Sequence, residues 1–174
     1  MNSRSRFVIV LFMFALLISG DAVGGSSKLD AESLAGIEGV GVLVEGLDNE
    51  VEAAGLSVAD LQTRIELRLR VAGVRVLTKG TFPRYPTVYA NINALAPANS
   101  PVVFYSYHLS FGQAVYTNTE PQQIIFGATT WEKGGIARVP RASFRDDVLG
   151  DVALLVDAFA NAFLSVNPPA PKGD

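Results

Sequence analysis

The chain has 174 residues, 49% of them hydrophobic, and a formal net charge of −3. A weakly acidic chain offers no basic surface to a phosphate backbone, so nucleic acid is excluded as a partner. The count of 0 Cys and 1 His excludes a disulfide scaffold, a cysteine-linked lipid anchor, and a zinc site built from histidine and cysteine. The sequence also lacks HExxH, GxSxG and a phosphate-binding glycine loop, so we predict neither a metal nor a cofactor.

The first predicted element is a secretory signal peptide over residues 1–24. Arg4 and Arg6 precede an apolar run from Phe7 to Ile18, and small residues follow that run, as they do in cleavable signals. The run is shorter than the roughly 20 apolar residues of a membrane-spanning helix, so we expect cleavage and no stable membrane anchor. The mature chain is therefore predicted to be periplasmic or secreted, and the lack of cysteine favours a bacterial periplasm.

Residues 25–35 are small and polar, and they are predicted to form a flexible linker to a single domain over residues 36–167. Alternating valines from Val40 to Val44 predict a first strand. Residues 46–56 are then predicted to form a connecting loop.

That loop carries three acidic residues at alternate positions, Asp48, Glu50 and Glu52. Their oxygens could hold a hard cation, but the glycine and the distal glutamate of a calcium loop are missing. A solvated loop is therefore the favoured interpretation.

A first helix is predicted to follow Ser57, a typical N-cap residue, and to end at Gly73. Its buried stripe has helical spacing and consists of Leu61, Ile65, Leu69 and Ala72. Arg64 and Arg68 lie on its charged side, where they could jointly bind a carboxylate or phosphate. Salt bridges along an exposed helix face are the favoured alternative.

A second strand is predicted over residues 74–77, and three longer strands over residues 87–95, 102–116 and 122–131. Short turns between the long strands indicate antiparallel hairpins. Gly134 and Gly135 are predicted to open a loop before the last helix.

That helix is predicted to begin near Ser143 or Phe144. Its apolar stripe again has helical spacing and consists of Phe144, Val148, Val152, Leu155, Phe159 and Phe163. Residues 168–174 are predicted to be a disordered tail.

These elements predict an α+β fold, a two-layer sandwich in the order β-α-β-β-β-β-α. Each helix has one apolar stripe that needs a sheet face to cover it. We therefore expect a mainly antiparallel five-stranded sheet with two helices on one face.

The strand over residues 102–116 carries the candidate chemistry. His108 lies on one face between Ser106 and Ser110, but a hydrolytic triad also needs an orienting acid, and this strand has no carboxylate. The other face carries Tyr105 and Tyr107, a residue type enriched at protein interfaces. Alternation places one of these two faces outside, and the sequence leaves open which one.

Three segments resemble a group of uncharacterised exported bacterial proteins: LQTRIELRLRVAGVRVL, TTWEKG and VDAFANAFLSVNP. More distantly, the element order is similar to small envelope domains, namely the amino-terminal domain of the Tol-Pal translocation protein and the lipoproteins that activate penicillin-binding proteins. Those domains act by binding other proteins, and the resemblance implies the same kind of role.

We therefore predict an exported, non-catalytic binding or adaptor protein of the bacterial envelope whose partner is another envelope protein. The candidate partner surface comprises Tyr105, Tyr107, His108, Arg64 and Arg68. The alternative is a periplasmic hydrolase with its site near His108. The partner's identity and the oligomeric state do not follow from the sequence.

Overall fold

The structure, a computed structural model, describes residues 28–78 and 82–168. The predicted signal peptide and nearly all of the predicted tail lie outside the described residues. In chain order the elements are α1 (Lys28–Glu32), β1 (Gly41–Val44), α2 (Asn49–Ala53), α3 (Val58–Ala72), β2 (Thr87–Leu95), β3 (Val102–Tyr116), β4 (Ile124–Pro140) and α4 (Phe144–Val166).

Local capping sets the two ends of α3 where the sequence predicted them. The Ser57 hydroxyl accepts a hydrogen bond from the Asp60 backbone N–H at 3.1 Å, which satisfies one free amide of the first turn. Gly73 follows the last turn in a left-handed conformation with φ of 97°, a conformation that favours glycine. The position of this helix thus follows from residues at its own ends.

The four strands form one mixed sheet in the order β1-β2-β3-β4, with β1 parallel to β2 and the other neighbours antiparallel. The prediction of five strands is not confirmed. Residues 74–77 contribute only an isolated bridge, between Val76 and Val40. This segment contributes to the core instead of to the sheet, because Val74 is buried.

The part of the chain that the structure describes contains four helices, two more than predicted. The additional helix α2 lies in the predicted loop over residues 46–56, because the Asp48 carboxylate caps it by accepting from the Val51 N–H at 3.0 Å. The other additional helix, α1, lies in the predicted linker, and the buried Leu34 follows it.

The core lies between one face of the sheet and the helices α3 and α4. Phe159 of α4 contacts the rings of Phe111 and Trp131, at centroid distances of 5.5 and 5.1 Å. Leu61 and Ile65 of α3 belong to the same buried cluster. Among the described residues, α4 is the one helix long and apolar enough to cross a membrane, but nine of its side chains are buried in the structure.

The hairpin of β3 and β4 is longer than its neighbours at one end. The pairing of β2 with β3 stops at Thr87 and Gly112, whereas β3 and β4 continue to the pair of Tyr116 and Ile124. One end of the hairpin therefore projects beyond the sheet. The prediction that Gly134 and Gly135 open a loop is wrong, because β4 continues through both glycines to Pro140.

Candidate functional site

Strand β3 divides the predicted site residues between two environments. Tyr105 and Tyr107 point toward α4, on the helix-covered face, whereas His108 points to the opposite face, which the described helices leave open. The structure therefore places the two tyrosines on one face of the sheet and the histidine on the other face.

Tyr105 is buried beneath α4. Only 2% of it is exposed, and its hydroxyl donates to Asp151 Oδ2 at 2.6 Å, with its ring edge-on to Phe144 at a centroid distance of 5.4 Å. Burial, reinforced by the hydrogen bond to the Asp151 carboxylate, raises the pKa of Tyr105. Tyr105 therefore anchors α4 on the sheet and offers no surface to a partner.

Tyr107 and His108 lie across the two glycines of β4. A Cβ atom at Gly135 would be 2.7 Å from the Tyr107 hydroxyl oxygen, and one at Gly134 would be 3.0 Å from His108 Cδ2. These rings cover the bare backbone from both faces, an arrangement known to stabilise glycine in strands. The glycine pair thus stays in the strand because of two residues that lie 26 and 28 positions earlier in the chain.

The partner of His108 is Glu132, which the register of β4 places on the same face. His108 Nε2 and Glu132 Oε2 are 3.4 Å apart, and both side chains are well exposed. Among the described residues, no hydrogen bond joins His108 to Ser106 or Ser110. In the observed arrangement the imidazole therefore faces a carboxylate and not a hydroxyl.

The two arginines of α3 each have a carboxylate partner. Arg64 Nε lies 3.0 Å from Asp60 Oδ1, while Arg68 binds both oxygens of Asp157 on α4 at 2.6 and 2.5 Å. The hydrogen bonds from Arg68 lower the pKa of Asp157. The arginines border a groove of about 640 Å³ between α3 and α4, and their partners account for their charges without a ligand.

The acidic segment forms the short helix α2 and not a loop, with Asp48 as its cap and with Glu50 and Glu52 exposed to solvent. Besides capping α2, Asp48 accepts from the Ala94 N–H at 2.6 Å through Oδ2, which ties α2 to β2. Within residues 28–78 and 82–168, no cluster of three or more potential metal ligands occurs.

Polar groups at the β1 end of the open face satisfy one another. Glu45 accepts from the Asn91 side chain, and its hydrogen bond with the Tyr89 hydroxyl raises the pKa of Tyr89 to about 12. The Asn93 amide donates to Asn91 Oδ1 at 2.5 Å. This cluster has few free donors for a ligand.

The projecting end of the hairpin exposes a group of large apolar side chains that the sequence reasoning did not single out. We call this group the hairpin patch; its members are Phe82, Tyr85, Tyr116, Ile124, Ile125 and Phe126. All six are at least 42% exposed. Alternation places Tyr116 and Ile124 on one face of the hairpin and Ile125 on the other, so the exposed groups surround its projecting end. Exposed apolar groups gathered in one region are typical of interaction sites.

The loop before β2 holds one side of the hairpin patch in place. Phe82 stacks on Tyr89 with ring centroids 6.3 Å apart, and the Arg84 guanidinium lies 5.8 Å from the centre of the Phe126 ring. Gly127 has φ of 70°, and a Cβ there would lie 2.7 Å from Pro83. The loop can pack this closely only because residue 127 has no side chain.

One signal for the hairpin patch was present in the sequence. Between residues 113 and 131 the chain has a single charged residue, Glu120, although 18% of all residues are charged. Depletion of charge together with aromatic residues is the composition of an interface centre.

Comparison with known proteins adds little to these observations. No family model matches the chain, and no curated protein matches it. A solved structure, a minor lipoprotein from Acinetobacter baumannii, aligns over 80% of this chain and 98% of its own, with 7% sequence identity and a TM-score of 0.29. A likeness at this level carries no argument about fold or role, so the resemblances noted from the sequence stay predictions.

Proposed function

We propose that this protein is an exported, non-catalytic binding protein of the bacterial envelope, and that it binds another envelope protein through the hairpin patch. The observation that carries the proposal is the exposure of six large apolar side chains, four at the projecting end of the hairpin and two in the loop that packs against it. Burying such side chains is worth about 1.5 to 3 kcal/mol each when the burial is complete. A partner with an uncharged apolar segment matches this surface.

Placement of the patch supports the same conclusion. The side chains rest on paired strands and on a packed loop, so little conformational freedom is lost when a partner binds. A hairpin that projects beyond the sheet also meets a partner without rearrangement of the core.

Site-specific photocrosslinking in the living bacterium tests this proposal. A photoreactive residue in place of Phe126 or Tyr116 should give one crosslinked product of defined mass, and the same residue in place of Thr63, exposed on α3, should give none. Ile125→Glu should abolish the product without changing the urea unfolding midpoint. The identified partner should then bind the purified protein, and bind the Ile125→Glu variant at least about tenfold more weakly. Equal crosslinking from all positions would refute the proposal.

Export is tested separately, by intact-mass measurement on protein from the periplasmic fraction. We expect a chain that begins between Gly20 and Ser26, because the apolar run is too short to anchor it. Full-length protein in the membrane fraction would contradict both export by a cleaved signal and the envelope role.

The hydrolase alternative depends on the pair of His108 and Glu132. Because neither neighbouring serine is hydrogen-bonded to the imidazole, we expect no turnover of ester or peptide substrates. Activity in the wild type that disappears in His108→Ala and in Glu132→Gln would favour the hydrolase and displace the binding proposal.

A further inference from the structure

The outer edge of β4 is free along nine residues. Thr130 is an extra residue opposite the step from Phe111 to Gly112, and its carbonyl accepts a hydrogen bond from the Ser33 hydroxyl at 3.1 Å. From residue 131 to 139, no backbone group outside β3 is hydrogen-bonded to β4 within the described part of the chain. A regular strand with unpaired N–H and C=O groups is a template for a further strand.

The two charges on the open face of this free edge are arranged symmetrically about its midpoint, whereas the third charged residue of the segment, Lys133, belongs to the helix-covered face. Gly135 is the central residue of 131–139, and Glu132 and Arg138 lie three positions to either side of it, both on the open face. The ion pairs of the described residues leave Arg138 without a carboxylate. Charges at a strand edge normally oppose the addition of a second strand. When an identical strand pairs antiparallel about the midpoint, however, each Glu132 lies opposite an Arg138, and the two charges attract.

We propose that two copies of this chain associate through residues 131–139 of β4, antiparallel and with a twofold axis at Gly135. The sheet then becomes continuous across both copies and has eight strands, with each Glu132 opposite the other copy's Arg138. Such an interface is isologous, the commonest form in homodimers. This inference concerns a different surface from the hairpin patch and does not depend on it.

The register is restricted by the pleat and by the charges together. A shift of one residue would turn the open face of one copy against the helix-covered face of the other. A shift of two residues would place Glu132 opposite Ile136 or Pro140, and neither Glu132 nor Arg138 would then meet an opposite charge across the interface. Pairing about Gly135 is the register that satisfies them.

The two glycines give the second strand room on both faces. In this register Ile136 lies opposite the partner copy's Gly134, where it reaches the imidazole that covers that glycine. On the helix side the two Gly135 residues face each other, and the Tyr107 hydroxyl that lies on each glycine meets its symmetry mate near the axis.

Two of the more exposed apolar side chains of the molecule lie beside this edge. Ile136 is 84% exposed and Leu154 of α4 is 67% exposed, and both border a groove of about 750 Å³ between α4 and the edge of β4. When the edges pair, the two α4 helices approach on the same side of the joined sheet. The association thereby buries apolar side chains as well as completing backbone hydrogen bonds.

Analytical ultracentrifugation of the mature chain with charge-reversed variants tests this arrangement. The wild type should be a dimer, and Glu132→Arg or Arg138→Glu alone should weaken it at least about tenfold, because like charges then oppose each other. An equimolar mixture of the two variants should restore the dimer, because their charges are complementary. Arg75→Glu, a reversal at another exposed residue near the opposite edge of the sheet, should have no effect.

Cysteine crosslinking tests the register, and the absence of native cysteine makes its result unambiguous. The double variant Glu132→Cys with Arg138→Cys should form a covalent dimer on mild oxidation, because opposite side chains in antiparallel strands approach to about 5 Å. Within one chain the two positions are about 20 Å apart, too far for a disulfide. Glu132→Cys alone should stay uncrosslinked.

A wild-type protein that is monomeric at every concentration would overturn the proposal. So would a dimer that both charge reversals leave intact, or a dimer whose double-cysteine variant fails to crosslink. Circular dichroism of each variant confirms that it is folded, so that loss of the dimer reflects the interface.

Discussion

The two faces of β3 show how one strand acquires two different roles. Its residues that point toward the helices include Leu109 and Phe111, both buried, while those pointing the other way include Phe104 and His108. Aromatic rings occur on both faces, so composition alone does not separate them. The elements that pack against each face decide which rings form the core and which remain at the surface.

The largest expected effect comes from truncating the same residue type on each face. Phe111→Ala should lower the free energy of unfolding by about 3 to 5 kcal/mol, because Phe111 is 0% exposed and packs on Phe159. Phe104→Ala should cost about 1 to 1.5 kcal/mol, because Phe104 is 40% exposed. Urea unfolding measures both, and equal losses would show that the faces are not distinct.

A smaller effect is expected for the hydroxyl group that fixes α4 to the helix-covered face. Tyr105→Phe removes the hydrogen bond to Asp151 and should cost about 1 to 3 kcal/mol at neutral pH. Tyr116→Phe, at the exposed hairpin tip, is the matched control and should be nearly neutral.

Alkaline pH sharpens the same comparison. The pKa of Tyr105 is raised in the folded state, so its contribution to stability is complete below the unfolded pKa of about 10 and is lost as the pH rises above that value. The stability difference between the wild type and Tyr105→Phe should therefore shrink between pH 8 and pH 11. A constant difference would show that the Tyr105 hydroxyl has an ordinary pKa.

The smallest effects should come from the exposed arginines that lie away from the sheet. Arg68→Ala should cost about 0.5 to 1 kcal/mol, because it breaks a bidentate contact between α3 and α4. Arg64→Ala should cost only about 0.3 kcal/mol, because Asp60 lies in the same helix.

At acid pH the stability difference between the wild type and Arg68→Ala should disappear, because the partner carboxylate Asp157 becomes protonated while Arg68 stays charged. Arg68 lowers the pKa of Asp157 in the folded state, so the pair stabilises the protein above the unfolded pKa of about 4, and this contribution is lost as the pH falls below that value. Urea unfolding at pH 7 and at pH 3 should show the difference between the wild type and Arg68→Ala closing. A difference that persists at pH 3 would show that Arg68 acts through packing.

Locally encoded elements followed from the sequence. The predicted strands over residues 87–95 and 102–116 coincide with β2 and β3, since alternation and flanking turns are local signals. The caps of α3 are local as well. The sequence reasoning missed α2 although its Asp48 cap is local; the contact of Asp48 with Ala94 is a distant one that adds to it. The continuation of β4 through Gly134 depends on a distant residue, because the ring of His108 covers that glycine.

The candidate site was predicted less well than the fold for the same reason. His108 was recognised from its type, but its partner Glu132 is fixed only by the register of β4. The hairpin patch depends on a loop that crosses Gly127 from a position more than 40 residues earlier in the chain. Contacts of this kind leave no periodic pattern for sequence reasoning to detect.

The position of α4 after all the other described elements affects the order in which the domain can fold. This helix supplies nine of the buried side chains, and until it is present the sheet face with Phe111 and Trp131 has no cover. A chain that crosses a membrane with its amino terminus first, as we propose, delivers α4 after the strands that it covers. A stable core must therefore wait until α4 has crossed, which keeps the preceding elements in the unfolded form that the export channel requires.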